Sequence, residues 1–161
     1  MRPWFVFRQP LGFTQAELMI TVAIMGVFAA IAVPNFLPWL HQQQVNAALN
    51  QVDQALQETQ SESIKRNQIC QMTLTRGSGN VTGNCLVSGS RTLKDVVLDH
   101  SRSQGDWTIS FNGQGENRSP ANNPGTLWLS SSSAQPKCLV ISVGIGLRRT
   151  GQYRNNTCVT P

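Results

Sequence analysis

The chain carries little charge. Only 13% of its 161 residues are Asp, Glu, Lys or Arg, and after Glu17 no formally charged side chain appears until Asp53. A dedicated nucleic-acid module presents a dense basic stripe, and 13 Lys and Arg against 8 Asp and Glu fall well short of one. The absences also argue against catalysis. There is no phosphate-binding loop and no metal-ligating constellation, so neither a metal nor any other cofactor is expected. Asp99, His100 and Ser101 supply the residue types of an acyl-transfer triad, but neighbours in sequence diverge where a triad has to converge in space. They read as ordinary surface groups, His41 stands alone, and the protein is expected not to be an enzyme. The four cysteines, Cys70, Cys85, Cys138 and Cys158, lack the C-x-x-C spacing of a zinc or redox site. In an oxidising compartment an even number reads as two disulfides. Of three possible pairings, Cys70 with Cys85 and Cys138 with Cys158 is favoured, because each links adjacent strand candidates. No internal repeat stands out.

What the chain does have is one long apolar run. Leu18 to Val33 is apolar apart from Thr21 and Gly26, and the run continues through Phe36, Leu37, Trp39 and Leu40. A bilayer core needs about 20 such residues. At its mouth stands Glu17, although a carboxylate carried to mid-membrane costs roughly 2.5 kcal/mol or more without a partner, and the flank left in the cytoplasm is usually positive. Glu17 therefore calls for a cation within the apolar phase. An amino terminus on a neighbouring copy would serve, and a cut before Phe13 would create it.

The order of a basic leader with Arg2 and Arg8, then Gly12-Phe13-Thr14-Gln15-Ala16-Glu17, then the apolar run resembles the class III signal of type IV prepilins and type II secretion pseudopilins. The resemblance implies that a prepilin peptidase cuts after Gly12, that Phe13 becomes the N-methylated terminus, and that Glu17 serves assembly. Residues 1–12 would be the leader, 13–40 a transmembrane and assembly helix, and 41–161 a head outside the cytoplasm. Pro34 falls where the family has a helix-bending proline, and its missing donor and ring clash favour a bend on chemical grounds alone. Gln15 and Ala16 depart from the more usual Leu-Ile pair. Two other readings compete: Ala30-Ile31-Ala32 suits a conventional signal peptidase, and a plain anchor would not be cut. The mature protein would start at Phe13, Val33 or Met1 respectively.

From Leu40 to Arg66, Val45, Ala48, Leu49, Val52, Ala55 and Leu56 recur at helical spacing and line one face. The stripe reads as core packing, and Gln42, Gln43 and Gln44 as a solvated or filament-facing stretch. Beyond Asn67 the period becomes two. Strand candidates are Ile69 to Arg76, Val81 to Val87, Trp107 to Asn112, Thr126 to Ser131, Cys138 to Leu147 and Gln152 to Val159, with Leu139, Ile141, Val143, Ile145 and Leu147 able to face a core. Gly113 to Gly125 reads as a surface loop. Roughly 100 residues remain for one modest core. The expected fold is α+β, a type IV pilin-like lollipop whose long N-terminal helix packs on an antiparallel sheet head.

Phe111-Asn112-Gly113-Gln114-Gly115, followed by a strand running into Gly146-Leu147-Arg148-Arg149-Thr150-Gly151, resembles the GspH/FimT branch of minor pilins and pseudopilins. In that branch a Gly-Arg-x-Arg turn contributes in some members to DNA capture. Here Leu147 stands at the first arginine position, Arg148 is displaced by one, and Arg149 keeps its place. Without Arg2 and Arg8 the mature balance is only mildly basic, yet Arg148, Arg149, Arg154 and Lys137 are candidate contacts to double-stranded DNA, of the salt-sensitive, sequence-blind kind. The competing reading makes them a solvated turn that guards an edge strand. The implied function is a minor pilin or pseudopilin of a type IV pilus or type II secretion pseudopilus, possessing single-pass inner-membrane residence before assembly. Its implied partners are the prepilin peptidase, other pilins or pseudopilins, the inner-membrane assembly platform and, in one version, DNA. The alternative acts only in secretion or filament initiation and binds none.

Overall fold

The computed structural model describes residues 12–102, 105–118 and 125–160, without the side chains at 32–35. A helix, α1, runs Gln15–Arg66, and the chain divides into two units, Met1–Phe36 and Leu37–Pro161. In the first, Leu18, Met19, Ile20, Val22, Ile24, Met25, Val27 and Phe28 are all exposed. A helix that is apolar all round is stable only inside something else apolar. No single helix among the described residues is long and apolar enough to cross a membrane, but Gln15–Ile31 and Phe36–Arg66 satisfy that test as a pair. Pro34, where the bend is expected, falls in the part of α1 whose side chains are not described, and the leader up to Leu11 lies outside the described residues.

The second unit holds the rest of α1 and nine strands: β1 (Cys70–Leu74), β2 (Asn80–Gly83), β3 (Arg91–Thr92), β4 (Val97–His100), β5 (Trp107–Phe111), β6 (Gly125–Ser130), β7 (Lys137–Ile141), β8 (Arg148–Arg154) and β9 (Thr157–Val159). They form two antiparallel sheets, in the orders β3-β2-β1-β5 and β4-β6-β7-β8-β9. The expected helical stripe is the spine of the core. Val45, Ala48, Leu49, Val52, Ala55 and Leu56 are buried against Met72, Leu74 and Ile109 of one sheet and Leu127, Leu129, Leu139 and Ile141 of the other. Fully burying one such side chain contributes about 1.5–3 kcal/mol. Thr59 and Ser63 extend the buried stripe and return their hydroxyls to the carbonyls of Ala55 and Gln60 at 2.7 Å each. At the helix end Lys65 and Arg66 pair with Glu62 at 3.0 and 2.9 Å.

Several expectations need correction. Of the three glutamines after His41, Gln43 is exposed as expected, but Gln42 accepts from the Gln135 backbone N–H at 2.9 Å and His41 Nδ1 bonds Ser133 Oγ, so the β6–β7 turn is held to the helix. The run Cys138 to Leu147 is not one strand. It breaks after Ile141 because Gly144 and Gly146 take positive φ, and Ile145 and Leu147 are exposed. Gln152 to Val159 is a hairpin turning at Asn155 and Asn156, with φ of 50° and 60°, the conformation that two-residue hairpin turns demand. Both favoured disulfides are present, Cys70–Cys85 and Cys138–Cys158. The second, however, joins β7 to β9 across β8. That closure needs Gly151, which lies opposite Cys138, since a Cβ there would clash with the Val159 carbonyl oxygen.

Nor is His100 a surface group. It ends β4, which was not anticipated, and is 1% exposed, with its ring centroid 5.8 Å from that of Trp107. Neither ring nitrogen makes a hydrogen bond of good geometry, although the Gly105 backbone lies close enough to act on the ring and favour its protonated form. Burial first, then the Arg76 guanidinium, pushes its pKa below the ordinary histidine value, against the opposing carboxylates of Asp99 and Asp106. The unfolded chain therefore takes up this proton first, near pH 6.5, so stability is full above that pH and falls as pH drops through it toward the folded value. Thermal unfolding of the oxidised protein between about pH 7.5 and 5.5 should show the midpoint falling with pH, and His100→Leu should flatten that slope. An unchanged slope in the variant would show that His100 does not carry it.

Candidate functional site

Two regions hold the residues singled out in the sequence. The first is the start of α1. Thr14 precedes the helix, and its hydroxyl accepts from the Glu17 backbone N–H at 3.3 Å. The Thr14 backbone N–H and hydroxyl in turn donate to Glu17 Oε2, at 3.1 and 3.2 Å. This is a reciprocal capping box, which satisfies two orphan donors of a helix start. Its spacing, Thr-x-x-Glu ahead of an apolar run, is legible in the sequence. Among the described residues Glu17 Oε1 remains without a partner, while Gly12 and Phe13 are exposed immediately before the box. So the carboxylate is oriented on one oxygen and open on the other.

The second region is the end of the chain. β8 alternates its side chains between two faces. Arg148, Thr150 and Gln152 lie opposite Ile141, Leu139 and Lys137, on the face that α1 covers. Arg149 lies opposite Val140 and Gly151 opposite Cys138, on the outer face, where Trp128 and Tyr153 stack with centroids 4.4 Å apart. The four candidate cations are thus divided. Arg148 is bound inward, its Nε 2.9 Å from Asp53 Oδ1 with both side chains mostly buried, and its Nη1 donates to Gln60 Oε1 at 2.9 Å. Arg149 is exposed on the far face, whereas Lys137 and Arg154 line a cleft beside the helix.

Gln60 is the residue that reading the sequence missed. Its Nε2 donates to the Gly115 carbonyl at 2.8 Å and to that of Ile145 at 3.3 Å. With the Arg148 Nη1 bond to its Oε1, one helical side chain therefore gathers both segments that carried the family resemblance, 111–115 and 146–151. Asn117, expected in a surface loop, is buried; its backbone N–H donates to the Gly144 carbonyl at 2.6 Å, and its side chain to that of Ser142 at 3.1 Å. The remainder of that loop, 119–124, lies outside the described residues. The signal for Gln60 was its place on the buried stripe, four positions after Leu56.

A long helix whose second half is packed on antiparallel sheets in this way is the architecture of type IV pilins. The solved structure of the Pseudomonas aeruginosa type IV minor pilin FimU matches with a TM-score of 0.55 at 12% identity, over 75% of this chain and 96% of that one. Residues 48–144 match the family model of the type II transport protein GspH, and the chain belongs to that family. It is a type IV pilin or pseudopilin subunit, a structural component by family and fold rather than an enzyme. Fimbrial protein Q of Moraxella bovis is 29% identical over 135 residues, covering 63% of this chain and 86% of the relative. A Pseudomonas aeruginosa fimbrial protein is 38% identical over 92 residues, 55% of this chain and 60% of the relative. The type IV major fimbrial protein FimA of Dichelobacter nodosus is 44% identical over 43 residues, 27% of this chain and 28% of the relative.

Removing one partner of a mostly buried, hydrogen-bonded ion pair strands the other. Arg148→Ala should therefore lower the stability of the oxidised protein by about 1–3 kcal/mol, whereas Arg149→Ala should stay within about 0.5 kcal/mol of the parent. Denaturant unfolding of both variants checks this, and equal effects would contradict the assignment of their faces.

Proposed function

We propose that this chain is a minor subunit of a type IV pilus or type II secretion pseudopilus, cut after Gly12 by a prepilin peptidase and N-methylated at Phe13. It would be held in the inner membrane by the apolar half of α1, with the head outside the cytoplasm, until the assembly platform moves it into the filament. The observation that carries this reading is the pairing of an exposed, predominantly apolar helical segment with an oriented carboxylate at its first turn. Lipid tails and the flanks of other helices are similarly apolar, and small residues such as Gly26, Ala29 and Ala30 permit close approach. Transfer from bilayer to filament then exchanges one apolar environment for another. The charge is the part that has to be matched, and Glu17 Oε1 is available to an amine at Phe13 of a neighbour.

The division of the cations supports a protein partner for the head rather than DNA. Duplex phosphates are met by a continuous basic surface, whereas here Arg148 is engaged by Asp53 and Arg149 faces away from Lys137 and Arg154. Duplex contact would rest on Lys137 and Arg154 on one face or on Arg149 alone on the other, without Arg148. In a gel-shift titration of the full chain in detergent, we expect weak retardation at low salt that vanishes at moderate salt.

Two variants test the N-terminal chemistry. Gly12→Trp should accumulate as uncut precursor in the membrane, with an intact mass beginning at Met1. Glu17→Ala should be cut normally yet leave filaments or secretion at a small fraction of wild type. Normal maturation of the first would remove the cut-site assignment, and full assembly by the second would remove the charge pairing.

A further inference from the structure

Between α1 at Asn46 to Asn50 and the last two strands lies a cleft of about 650 Å³, bordered by Lys137, Arg154, Asn46, Asn50, Leu49 and Val159. Its charge is one-sided. No acidic side chain lines it, and Lys137 and Arg154, like Lys94 and Arg149 elsewhere, belong to no ion pair among the described residues, whereas Lys65, Arg66, Arg76, Arg91, Arg118 and Arg148 all do. Register explains the convergence: Lys137 lies opposite Gln152, and Arg154 follows two residues later on the same face of β8. Like charges held in a concave site focus their field on whatever enters. The amides of Asn46 and Asn50 add donors for carboxylate or backbone oxygens, and Leu49 and Val159 supply apolar contact.

The occupant can be narrowed by shape and by charge. A cavity of this volume falls in the range of sites that enclose a small ligand, about 300–1,000 Å³, and so admits a few residues of peptide. A duplex presents its phosphates on a convex ridge and would meet the cations only at the rim. A second copy of this chain has little acid to offer. Asp53, Glu58, Glu62, Asp99 and Glu116 are already ion-paired within the head, leaving Asp95 and Asp106, and Asp106 accepts from Thr75 Oγ1 at 3.3 Å.

We propose that the cleft docks an acidic peptide segment of a different subunit, its carboxylates paired with Lys137 and Arg154. The proposal rests on the reading of the chain as a filament subunit and specifies what its head recognises. Full chain in detergent micelles would be titrated into a fluorescein-labelled, end-capped peptide of alternating Asp and Gly, with the Asn-Gly peptide and a short duplex DNA as comparisons. The Asp-Gly peptide should bind in preference to both and weaken as salt approaches physiological strength. Lys137→Gln/Arg154→Gln should weaken binding at least about tenfold, whereas Arg149→Gln should leave it unchanged. Independently of folding in that double variant, the side-chain amide resonances of Asn46 and Asn50 in the wild-type protein should shift on adding the acidic peptide. No binding, unshifted amides, unaltered affinity in a folded double variant, or preferential duplex binding lost in the same variant would each overturn the proposal. Assembly by Glu17→Ala is read separately, so failure of the cleft is distinguishable from failure of the filament role.

Discussion

Everything in the head depends on one stripe of the helix being dry. Val45, Val52, Ala55 and Leu56 are wholly buried, in one core cluster with residues of both sheets. The short strands of the first sheet, only two residues in the case of β3, would not persist in isolation, since a few paired residues lack the burial that offsets ordering of the backbone. The helix supplies the missing surface. Polar side chains on the margins of the same stripe then fix what packing leaves adjustable: Gln42 holds the β6–β7 turn, Gln60 the two glycine-containing loops, and Asp53 the start of β8.

The parts of this architecture legible in the sequence were those governed by period. The helical stripe needed only spacing and came out residue for residue, and β1, β5 and β6 were recognisable from alternation. What was not legible depended on tertiary context. β3 and β4 carry too few alternating residues to stand out, and His100 drew notice only for its place beside Asp99. The alternation of Leu139 to Leu147 ran straight through Gly144 and Gly146, whose positive φ ends the strand, so Ile145 and Leu147 were assigned to a core they do not reach. The structure carries the favoured disulfide pairing, but not between adjacent strands in the second case: hydrogen-bonded order separates β7 from β9, and a glycine lets β9 close over β8.

At the candidate sites the same distinction holds. Gly12, Phe13 and Glu17 are a linear motif, readable because their chemistry is local; the capping box adds that Thr14 orients the carboxylate within its own chain. The basic cluster is different in kind. Arg148, Arg149 and Arg154 are close in sequence, but a strand sends neighbouring side chains to opposite faces, and only the pairing of β8 with β7 reveals which face each takes. One arginine becomes a structural cation, one is left on the outer face, and one joins a lysine that lies 17 positions earlier in the sequence.

This distribution bears on why so sparingly charged a chain retains the charges it has. Exposed ion pairs contribute little to stability, about 0–1 kcal/mol, so most of the surface pairs here do not hold the fold together. Their effect is subtractive. By joining Arg76 to Asp99 and Arg118 to Glu116, the head cancels much of its own field and leaves a surface dominated by uncharged polar groups. Against that background a few uncompensated charges acquire weight, because nothing nearby competes for their counterions. Glu17 is such a charge in the apolar segment, and Lys137 with Arg154 form such a pair in the head. Selectivity in an assembly of similar subunits can then rest on a small number of charged contacts, each made in a setting where an unmatched partner is costly.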